Sequence, residues 1–258
     1  MIKNFNKISS DLILDDQVLV LTLNSPKANV LDIEMISELT LAVQESGSKP
    51  TVKAIIFQGA GEHFSYGASV PEHTRELAGH MLSAFHQFFR ILIEVSKPTV
   101  AVVRGQCLGG GLELAAFCNW IFASDDARLG QPEVKLGVFP PVASLILPHR
   151  IGQSAADDLV LTGRSISARD AKELGLVSGI SDDPRRAAEE FLATHIIPKS
   201  SVALKLAVKS SRFEMHQAFL RNIDRVEKMY VQELLQSDDA NEGVNAFLEK
   251  RQPVWKNR

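Results

Sequence analysis

Short apolar strands alternate with helical segments over the first two thirds of the chain. Three runs, Val18–Leu23, residues 52–57 and Thr99–Val103, consist almost entirely of Val, Leu, Ile, Ala and Phe. Runs without polar alternation are typical of strands that are buried on both faces, as in parallel sheets. Because helical segments separate these runs, including one over most of residues 71–95, the sequence predicts an α/β fold with right-handed crossovers.

The last third of the chain has a different pattern. From about residue 153 strands are nearly absent, and Ser167 with Asp170 has the spacing of a helix capping box. Helices are predicted over residues 185–195, 200–211, 213–235 and 239–250. The stripe of Phe213, Phe219 and Tyr230 must be buried against a partner surface. The pattern therefore indicates an α/β core followed by a helical C-terminal part.

Charge and cysteine content exclude several classes of protein. The 258 residues include 28 Lys and Arg against 31 Asp and Glu, and no dense basic run occurs, so we expect no nucleic-acid or membrane partner. Two cysteines do not form a disulfide framework. Residues 1–16 lack the apolar stretch of a signal peptide, and no window has the roughly 18 apolar residues of a membrane span. We expect a cytoplasmic protein, and the spacing of its seven histidines predicts no metal site.

The most informative segment runs from a buried strand through Gly109, Gly110 and Gly111 into a helix that carries Glu113. Glycines let a ligand approach the backbone, and the free N–H groups of a first helical turn attract anionic oxygen atoms. A carboxylate beside such a site suits acid–base chemistry on a carbonyl compound. The alternative is a tight strand–helix turn with an exposed glutamate. A nucleotide loop is not indicated, because neither Gly-x-Gly-x-x-Gly nor Gly-Lys-Ser/Thr occurs.

Two further segments are candidates for the same site. Residues 64–69 follow a buried strand and could supply a second N–H donor, although an ordinary surface loop is the alternative. Glu133 follows Pro132 at a constrained turn, where a lone glutamate is otherwise simply solvated. Neither segment defines a chemistry by itself.

Taken in order, these segments resemble the crotonase (enoyl-CoA hydratase/isomerase) superfamily over nearly the whole chain. The resemblance implies catalytic glutamates at Glu113 and Glu133 and oxyanion-hole N–H groups at Ala68 and Gly110. It implies coenzyme A contacts at Lys27, Ala28, Val30, Gly67, Ala68, Phe247 and Lys250. It also implies a ββα spiral core, expected over residues 1–195, and a C-terminal helical oligomerisation region over residues 196–258. Such enzymes form trimers or dimers of trimers and need no cofactor, since coenzyme A is part of the substrate.

The predicted acyl pocket departs from the straight-chain hydratases. Val142 and its neighbours replace a glycine-rich run, Ser69 replaces an aspartate, and Tyr66 and Phe139 add aromatic surface. In these residues the chain resembles superfamily members that hydrate a cyclic diene thioester. The expected reaction converts cyclohexa-1,5-diene-1-carbonyl-CoA to 6-hydroxycyclohex-1-ene-1-carbonyl-CoA, a step of anaerobic benzoyl-CoA degradation. The alternatives are a straight-chain enoyl-CoA hydratase, a double-bond isomerase and a non-catalytic RNA-binding member of the fold.

Overall fold

A computed structural model describes residues 5–26 and 28–258, so Lys27 lies outside the described residues. The strands are β1 (Ile8–Ile13), β2 (Val18–Leu23), β3 (Ala54–Gly59), β4 (Thr99–Val103), β5 (Gln106–Leu108), β6 (Trp120–Ala123), β7 (Arg128–Gly130), β8 (Ser165–Ser167) and β9 (Gly179–Ile180). The helices are α1 (Ile33–Ala42), α2 (Ala78–Val95), α3 (Gly110–Phe117), α4 (Pro141–Ile151), α5 (Gln153–Thr162), α6 (Ala168–Glu173), α7 (Pro184–His195), α8 (Ser201–Ser211), α9 (Phe213–Lys228) and α10 (Asp238–Leu248).

The chain contributes its strands to two separate sheets. The larger sheet has six strands in the order β1-β2-β3-β4-β6-β9, parallel except for the β1–β2 pair. The smaller sheet has the order β5-β7-β8, with β5 parallel to β7. Since β4 and β6 enter the larger sheet and the following β5 and β7 enter the smaller one, each pair of strands forms one turn of a spiral. The predicted ββα spiral core is therefore confirmed.

Helix α3 lies at the centre of this spiral. All eight of its residues are buried, which is typical of a helix surrounded by protein on every side. Its C-terminal carbonyls are covered by cations, because Arg212 donates to Phe117 O at 2.6 Å and to Cys118 O at 2.7 Å. Arg150 adds a bond to Cys118 O at 3.0 Å. Burial lowers the pKa of Arg212 to about 10, so it stays charged at neutral pH and stabilises the negative end of the helix dipole.

The C-terminal helices pack on the spiral. Met215, Phe219 and Ile223 of α9 belong to the main apolar core, whereas Phe213 at its start is 57% exposed. Helix α10 contacts the turn that follows β7 so closely that a Cβ atom on Gly243 would lie 2.1 Å from Leu136 O. The C-terminal helical region is thus confirmed, and the boundary at residue 195 stays a prediction.

Two helices differ in extent from the expectation. The helical segment expected after Pro71 begins with the 3-10 turn Val70–His73, and α2 starts only at Ala78. Arg75, between the two, donates its Nε–H to Leu235 O at 3.0 Å, a tertiary bond that local sequence does not report. The expected single helix over residues 213–235 ends at Lys228 and continues as the π-helical turn Met229–Glu233.

Candidate active site

The loop before α2 is tied to the segment at residues 28–31. Leu31 N–H donates to Gly67 O at 2.9 Å, and Ser69 N–H donates to Leu31 O at 3.1 Å. The Ser65 hydroxyl donates to Asn29 O at 2.7 Å and accepts from Gly67 N–H at 3.0 Å. These bonds on both sides of Ala68 hold its peptide in place, while its own N–H finds no acceptor in residues 5–26 and 28–258.

The second loop is the glycine turn that opens α3. Gly109 has φ +50° and ψ −128°, a conformation open essentially only to glycine, and its N–H donates to Gly130 O at 2.9 Å. The N–H of Gly110, the first residue of α3, has no acceptor in the described part of the chain. A Cβ atom built on Gly110 would lie 3.2 Å from Ala68 N, and one on Gly67 would lie 3.4 Å from Gly110 N. The structure therefore brings the two predicted donors side by side.

Glu113 lies one helical turn into α3 and is only 3% exposed. Its Oε1 accepts from Ala143 N–H, in the first turn of α4, at 2.8 Å. Burial raises the pKa of Glu113 to about 7, and the backbone N–H groups of Ala143 and Val142 oppose that rise. A carboxyl group that titrates near neutral pH can both accept and return a proton.

Glu133 lies in the 3-10 turn Pro132–Leu136 that follows β7. Its carboxylate lies over the glycine turn, because a Cβ atom on Gly109 would be 2.6 Å from Glu133 Oε1. Gln131, fully buried, places its amide nitrogen 3.0 Å from Oε2 and 3.1 Å from Oε1 in the orientation that satisfies both groups.

The two carboxyl groups influence each other. Burial raises the pKa of Glu133 well above its usual range, and the negative charge of Glu113 raises it further. Two neighbouring buried carboxylates do not ionise together easily. At neutral pH the pair therefore favours one protonated and one ionised member, which is the arrangement that acid–base catalysis requires.

The four predicted pocket residues differ in burial and in the contacts they make. Val142 is fully buried beside the N–H group that binds Glu113, and half-buried Phe139 packs on Tyr230 with the ring centroids 5.3 Å apart. Ser69 is half-buried, and its carbonyl oxygen lies 2.7 Å from His73 Nδ1. Tyr66 is 45% exposed, and its hydroxyl is hydrogen-bonded to His63 Nε2 at 3.2 Å.

The predicted coenzyme A contacts are divided between two places. Ala28 and Val30 are half-buried beside the first loop, where Ala28 O accepts from Tyr66 N–H at 2.9 Å. Phe247 and Lys250 lie at the end of α10 and just beyond it, and both are exposed. Lys27 lies outside the described residues. These contacts stay predictions, as do the roles assigned to the glutamates and the two N–H groups.

One residue at the site did not figure in the sequence-based prediction as a functional residue. Tyr230 was expected only as part of an apolar stripe, yet it places a buried hydroxyl group among apolar neighbours. The signal was a tyrosine at a stripe position where phenylalanine would serve equally well for packing.

Other features of the described residues do not compete with this site. A cavity of about 670 Å³ is lined by His149, Arg150 and residues 210–215, none of which is a predicted site residue. Within residues 5–26 and 28–258 no three His, Cys, Asp or Glu side chains are grouped to hold a metal ion. None of the helices there is long and apolar enough to cross a bilayer.

The comparisons with known proteins agree with this architecture. A family model described as enoyl-CoA hydratase/isomerase matches residues 14–258. A cyclohexa-1,5-dienecarbonyl-CoA hydratase of Thauera aromatica is 42% identical over 244 residues, covering 95% of each chain. A probable enoyl-CoA hydratase of Mycobacterium bovis is 36% identical over 252 residues, covering 95% of this chain and 96% of that one. The crystal structure of an enoyl-CoA hydratase from Mycobacterium avium superposes with a TM-score of 0.86 at 28% identity, covering 97% and 99% of the two chains.

A spiral of ββα turns that presents two free N–H groups beside one buried and one half-buried carboxyl group is suited to stabilising an enolate and moving protons around it. The chain belongs to the enoyl-CoA hydratase/isomerase family, the crotonase superfamily. It is an enzyme of the hydro-lyase class with enoyl-CoA hydratase-type activity.

Proposed function

We propose that the chain hydrates cyclohexa-1,5-diene-1-carbonyl-CoA to 6-hydroxycyclohex-1-ene-1-carbonyl-CoA in anaerobic benzoyl-CoA degradation, as a cytoplasmic enzyme without a cofactor. The observation that carries the proposal is the apolar surface beside the carboxyl pair, formed by buried Val142, next to the N–H group that binds Glu113, and by the edge-to-face rings of Phe139 and Tyr230. A rigid apolar surface of this kind suits a six-membered ring better than a flexible chain. The 42% identical Thauera aromatica relative is named for this reaction.

The mechanism follows from the placement of the groups. The thioester oxygen accepts from Ala68 N–H and Gly110 N–H, which stabilise the negative charge that develops there. The ionised member of the Glu113–Glu133 pair takes a proton from water as the water oxygen bonds to the β-carbon. The π electron pair of the α,β double bond shifts to the bond between the α-carbon and the carbonyl carbon, the carbonyl π pair moves onto the thioester oxygen, and a dienolate forms. A proton then returns at the far end of the diene, and the carbonyl bond is restored.

The carboxyl pair is tested by Glu113→Gln and Glu133→Gln. Each substitution keeps the shape of the side chain and removes its proton transfer, so each should lower kcat by at least about 10²-fold. The dissociation constant of the saturated cyclohexanecarbonyl-CoA should change little, because that ligand needs no proton transfer. Turnover close to the wild-type value in either variant would remove that glutamate from the mechanism.

The substrate is tested by comparing kcat/KM for the cyclic dienoyl-CoA and for crotonyl-CoA. The cyclic substrate should be preferred by at least about 10-fold, for which a difference of about 1.4 kcal/mol in transition-state binding is enough. Val142→Gly should lower the ratio of the two kcat/KM values, whereas Val208→Gly, the same substitution at a buried position of α8, should leave it unchanged. Efficient hydration of crotonyl-CoA without turnover of the cyclic diene would contradict the proposal.

The second candidate is a straight-chain enoyl-CoA hydratase, favoured by the name of the 36% identical Mycobacterium bovis relative. The same measurement distinguishes the two, since both candidates use the same carboxyl pair and differ only in the shape of the acyl pocket.

We further propose a homotrimer or a dimer of trimers, with Phe247 and Lys250 reaching the coenzyme A of a neighbouring subunit. Their exposure at the C-terminal end of α10 leaves them available for that contact.

A further inference from the structure

Tyr230 carries a hydroxyl group that has no hydrogen-bond partner in the described part of the chain. Its side chain is 1% exposed, and its hydroxyl finds neither donor nor acceptor among the described residues. A buried hydroxyl is normally bonded, and phenylalanine would fill the same volume without the loss of hydration. An unpaired group of this kind at a functional site is a candidate for bonding to a ligand.

The surroundings of Tyr230 connect it to the acyl end of the site. Its ring packs against Phe139, and His73 lies on another side with the ring centroids 6.4 Å apart. The same apolar cluster includes Ala68, whose N–H is one of the proposed thioester donors, and Val138 from the segment between Glu133 and α4. Tyr230 is therefore part of the apolar surface beside the carboxyl pair and belongs to the same cluster as the first loop.

The backbone around Tyr230 is also unusual. The residue lies in the π-helical turn Met229–Glu233, where the regular helix α9 has ended. Such turns are uncommon and are frequent at functional sites. The extra residue in the turn changes which side of the helix faces the core. This change accompanies the inward position of Tyr230, while Met229, the preceding residue, is 42% exposed.

The groups around Tyr230 favour the protonated form of its hydroxyl. Burial raises the pKa of its hydroxyl, and the negative charges of Glu133 and Glu113 raise it further. Burial also lowers the pKa of His73, so the ring at its side is neutral at physiological pH. The phenol consequently keeps its proton throughout and can donate a hydrogen bond to an oxygen atom.

One oxygen atom of the proposed reaction is left without a hydrogen-bond donor. In the proposed mechanism the thioester oxygen already has the N–H groups of Ala68 and Gly110. Glu113 accepts from Ala143 N–H, and Glu133 accepts from the Gln131 amide. The oxygen that is added to the acyl group has no assigned donor. After one of its lone pairs has formed the new carbon–oxygen bond, another can still accept a hydrogen bond.

We propose that the Tyr230 hydroxyl donates a hydrogen bond to the oxygen that is added to the acyl group, first as the attacking water and then as the hydroxyl of the product. The inference rests on the proposed hydratase function. No bond of the tyrosine breaks: it orients the oxygen, while the carboxyl pair transfers the protons. In the reverse reaction the same bond stabilises the leaving hydroxyl group.

Tyr230→Phe tests the proposal because it removes only the hydroxyl. The dissociation constants of two ligands are compared by isothermal titration calorimetry: 6-hydroxycyclohex-1-ene-1-carbonyl-CoA, which carries the added oxygen, and cyclohexanecarbonyl-CoA, which lacks it. The variant should bind the hydroxylated ligand about 10-fold more weakly, the scale of one lost hydrogen bond, and bind the other ligand as the wild type does. The value of kcat/KM should fall at least about 10-fold, and the melting temperature should not fall.

Phe219→Leu is the control for disturbance of the same helix. Phe219 packs against Phe89 and Phe117 in the main core. Its truncation should lower the melting temperature and leave the ratio of the two dissociation constants unchanged. An unchanged ratio in Tyr230→Phe overturns the inference, as does an equal change of the ratio in Phe219→Leu.

Four further results distinguish a failure of the inference from a failure of the function on which it rests. In Tyr230→Phe, an altered pH profile of kcat with an unchanged ratio of the two dissociation constants would indicate that the Tyr230 hydroxyl donates to a glutamate carboxylate. That result would also overturn the inference. If the wild type hydrates crotonyl-CoA alone, the same comparison is made with 3-hydroxybutyryl-CoA and butyryl-CoA and decides in the same way. A wild type that hydrates neither substrate overturns the proposed function together with the inference. Active wild type with an unaffected Tyr230→Phe overturns only the inference.

Discussion

Gly67→Ala is the most direct perturbation of the proposed oxyanion hole. Gly67 has φ +103°, and a Cβ atom there would lie 2.9 Å from Leu108 O and 3.4 Å from Gly110 N. The first distance is shorter than real Cβ contacts, and its partner is backbone, so the two loops must separate by several tenths of an ångström. The substitution therefore moves one donor loop from the other without touching either glutamate.

Gly67→Ala should affect both the stability of the fold and kcat. An L-residue at strongly positive φ costs about 1–2 kcal/mol, which lowers the free energy of unfolding. Loss of one oxyanion donor costs about 2.7–4 kcal/mol of transition-state stabilisation, or 10²–10³ in kcat. A displaced donor is weakened rather than removed, so we expect kcat to fall by about 10²-fold, near the lower end of that range. Binding of cyclohexanecarbonyl-CoA should change much less, because the hydrogen bonds strengthen as the enolate forms.

Gly61→Ala is the matched control. Gly61 also has a positive φ, +74°, but a Cβ atom there would meet nothing within 4 Å. It should therefore lower the free energy of unfolding by about 1–2 kcal/mol and leave kcat near the wild-type value. The assay is the initial rate of hydration of the preferred thioester, with chemical denaturation for stability. A kcat for Gly67→Ala within twofold of the wild type, or an equal loss in Gly61→Ala, would refute the reasoning.

Three further predictions concern stability and assembly. Since the pKa of Glu113 is raised from 4.5 to about 7, its contribution to stability is complete below pH 4.5 and is lost as pH rises through 7. Glu113→Gln should therefore raise the free energy of unfolding at pH 8 by on the order of 3 kcal/mol and change it little at pH 4. Urea denaturation at the two pH values measures this difference. An equal gain at both pH values would contradict the raised pKa of Glu113 as its cause. Ser167→Ala removes a capping box at α6 and should cost about 1 kcal/mol without changing kcat, measured by denaturation and initial rates; a large loss of kcat would show that the cap supports the site. Sedimentation at micromolar concentration should give a trimer or hexamer, and a stable monomer would contradict the proposed assembly.

The larger sheet could be predicted from sequence because its inner strands are long and continuously apolar. Val18–Leu23 and Thr99–Val103 have the bounds expected from their composition, and Asp32 caps α1 through a bond from Met35 N–H at 3.0 Å. The smaller sheet was not predicted as a separate sheet. Its strands have three residues each, too few for a periodic pattern, and they are stabilised by pairing with segments that are distant in sequence.

The candidate site could likewise be predicted only in part from the sequence. Glycine-rich turns and glutamates at fixed spacings are visible in the sequence, so the carboxyl pair and the two loops could be proposed. The groups that tune them could not, because they come from elsewhere in the chain. Ala143, whose N–H binds Glu113, is 30 residues away, and Tyr230 approaches the site only through the packing of α9 and the turn after it.

The position of Glu133 depends on the C-terminal region as well as on the spiral. Its turn follows β7, but Leu136 at the end of that turn lies against Gly243 of α10 at a distance that excludes any side chain there. At Gly137, the next residue, a Cβ atom would lie 2.8 Å from Asp239 O and 3.1 Å from the Trp255 ring. Because α10 also carries the exposed Phe247, any subunit contact made through that residue acts on a helix already in contact with the turn that carries Glu133. The proposed assembly would then do more than bury apolar surface: it would restrict the motion of Glu133 relative to Glu113, which lies on α3 and is bound by an N–H group of α4.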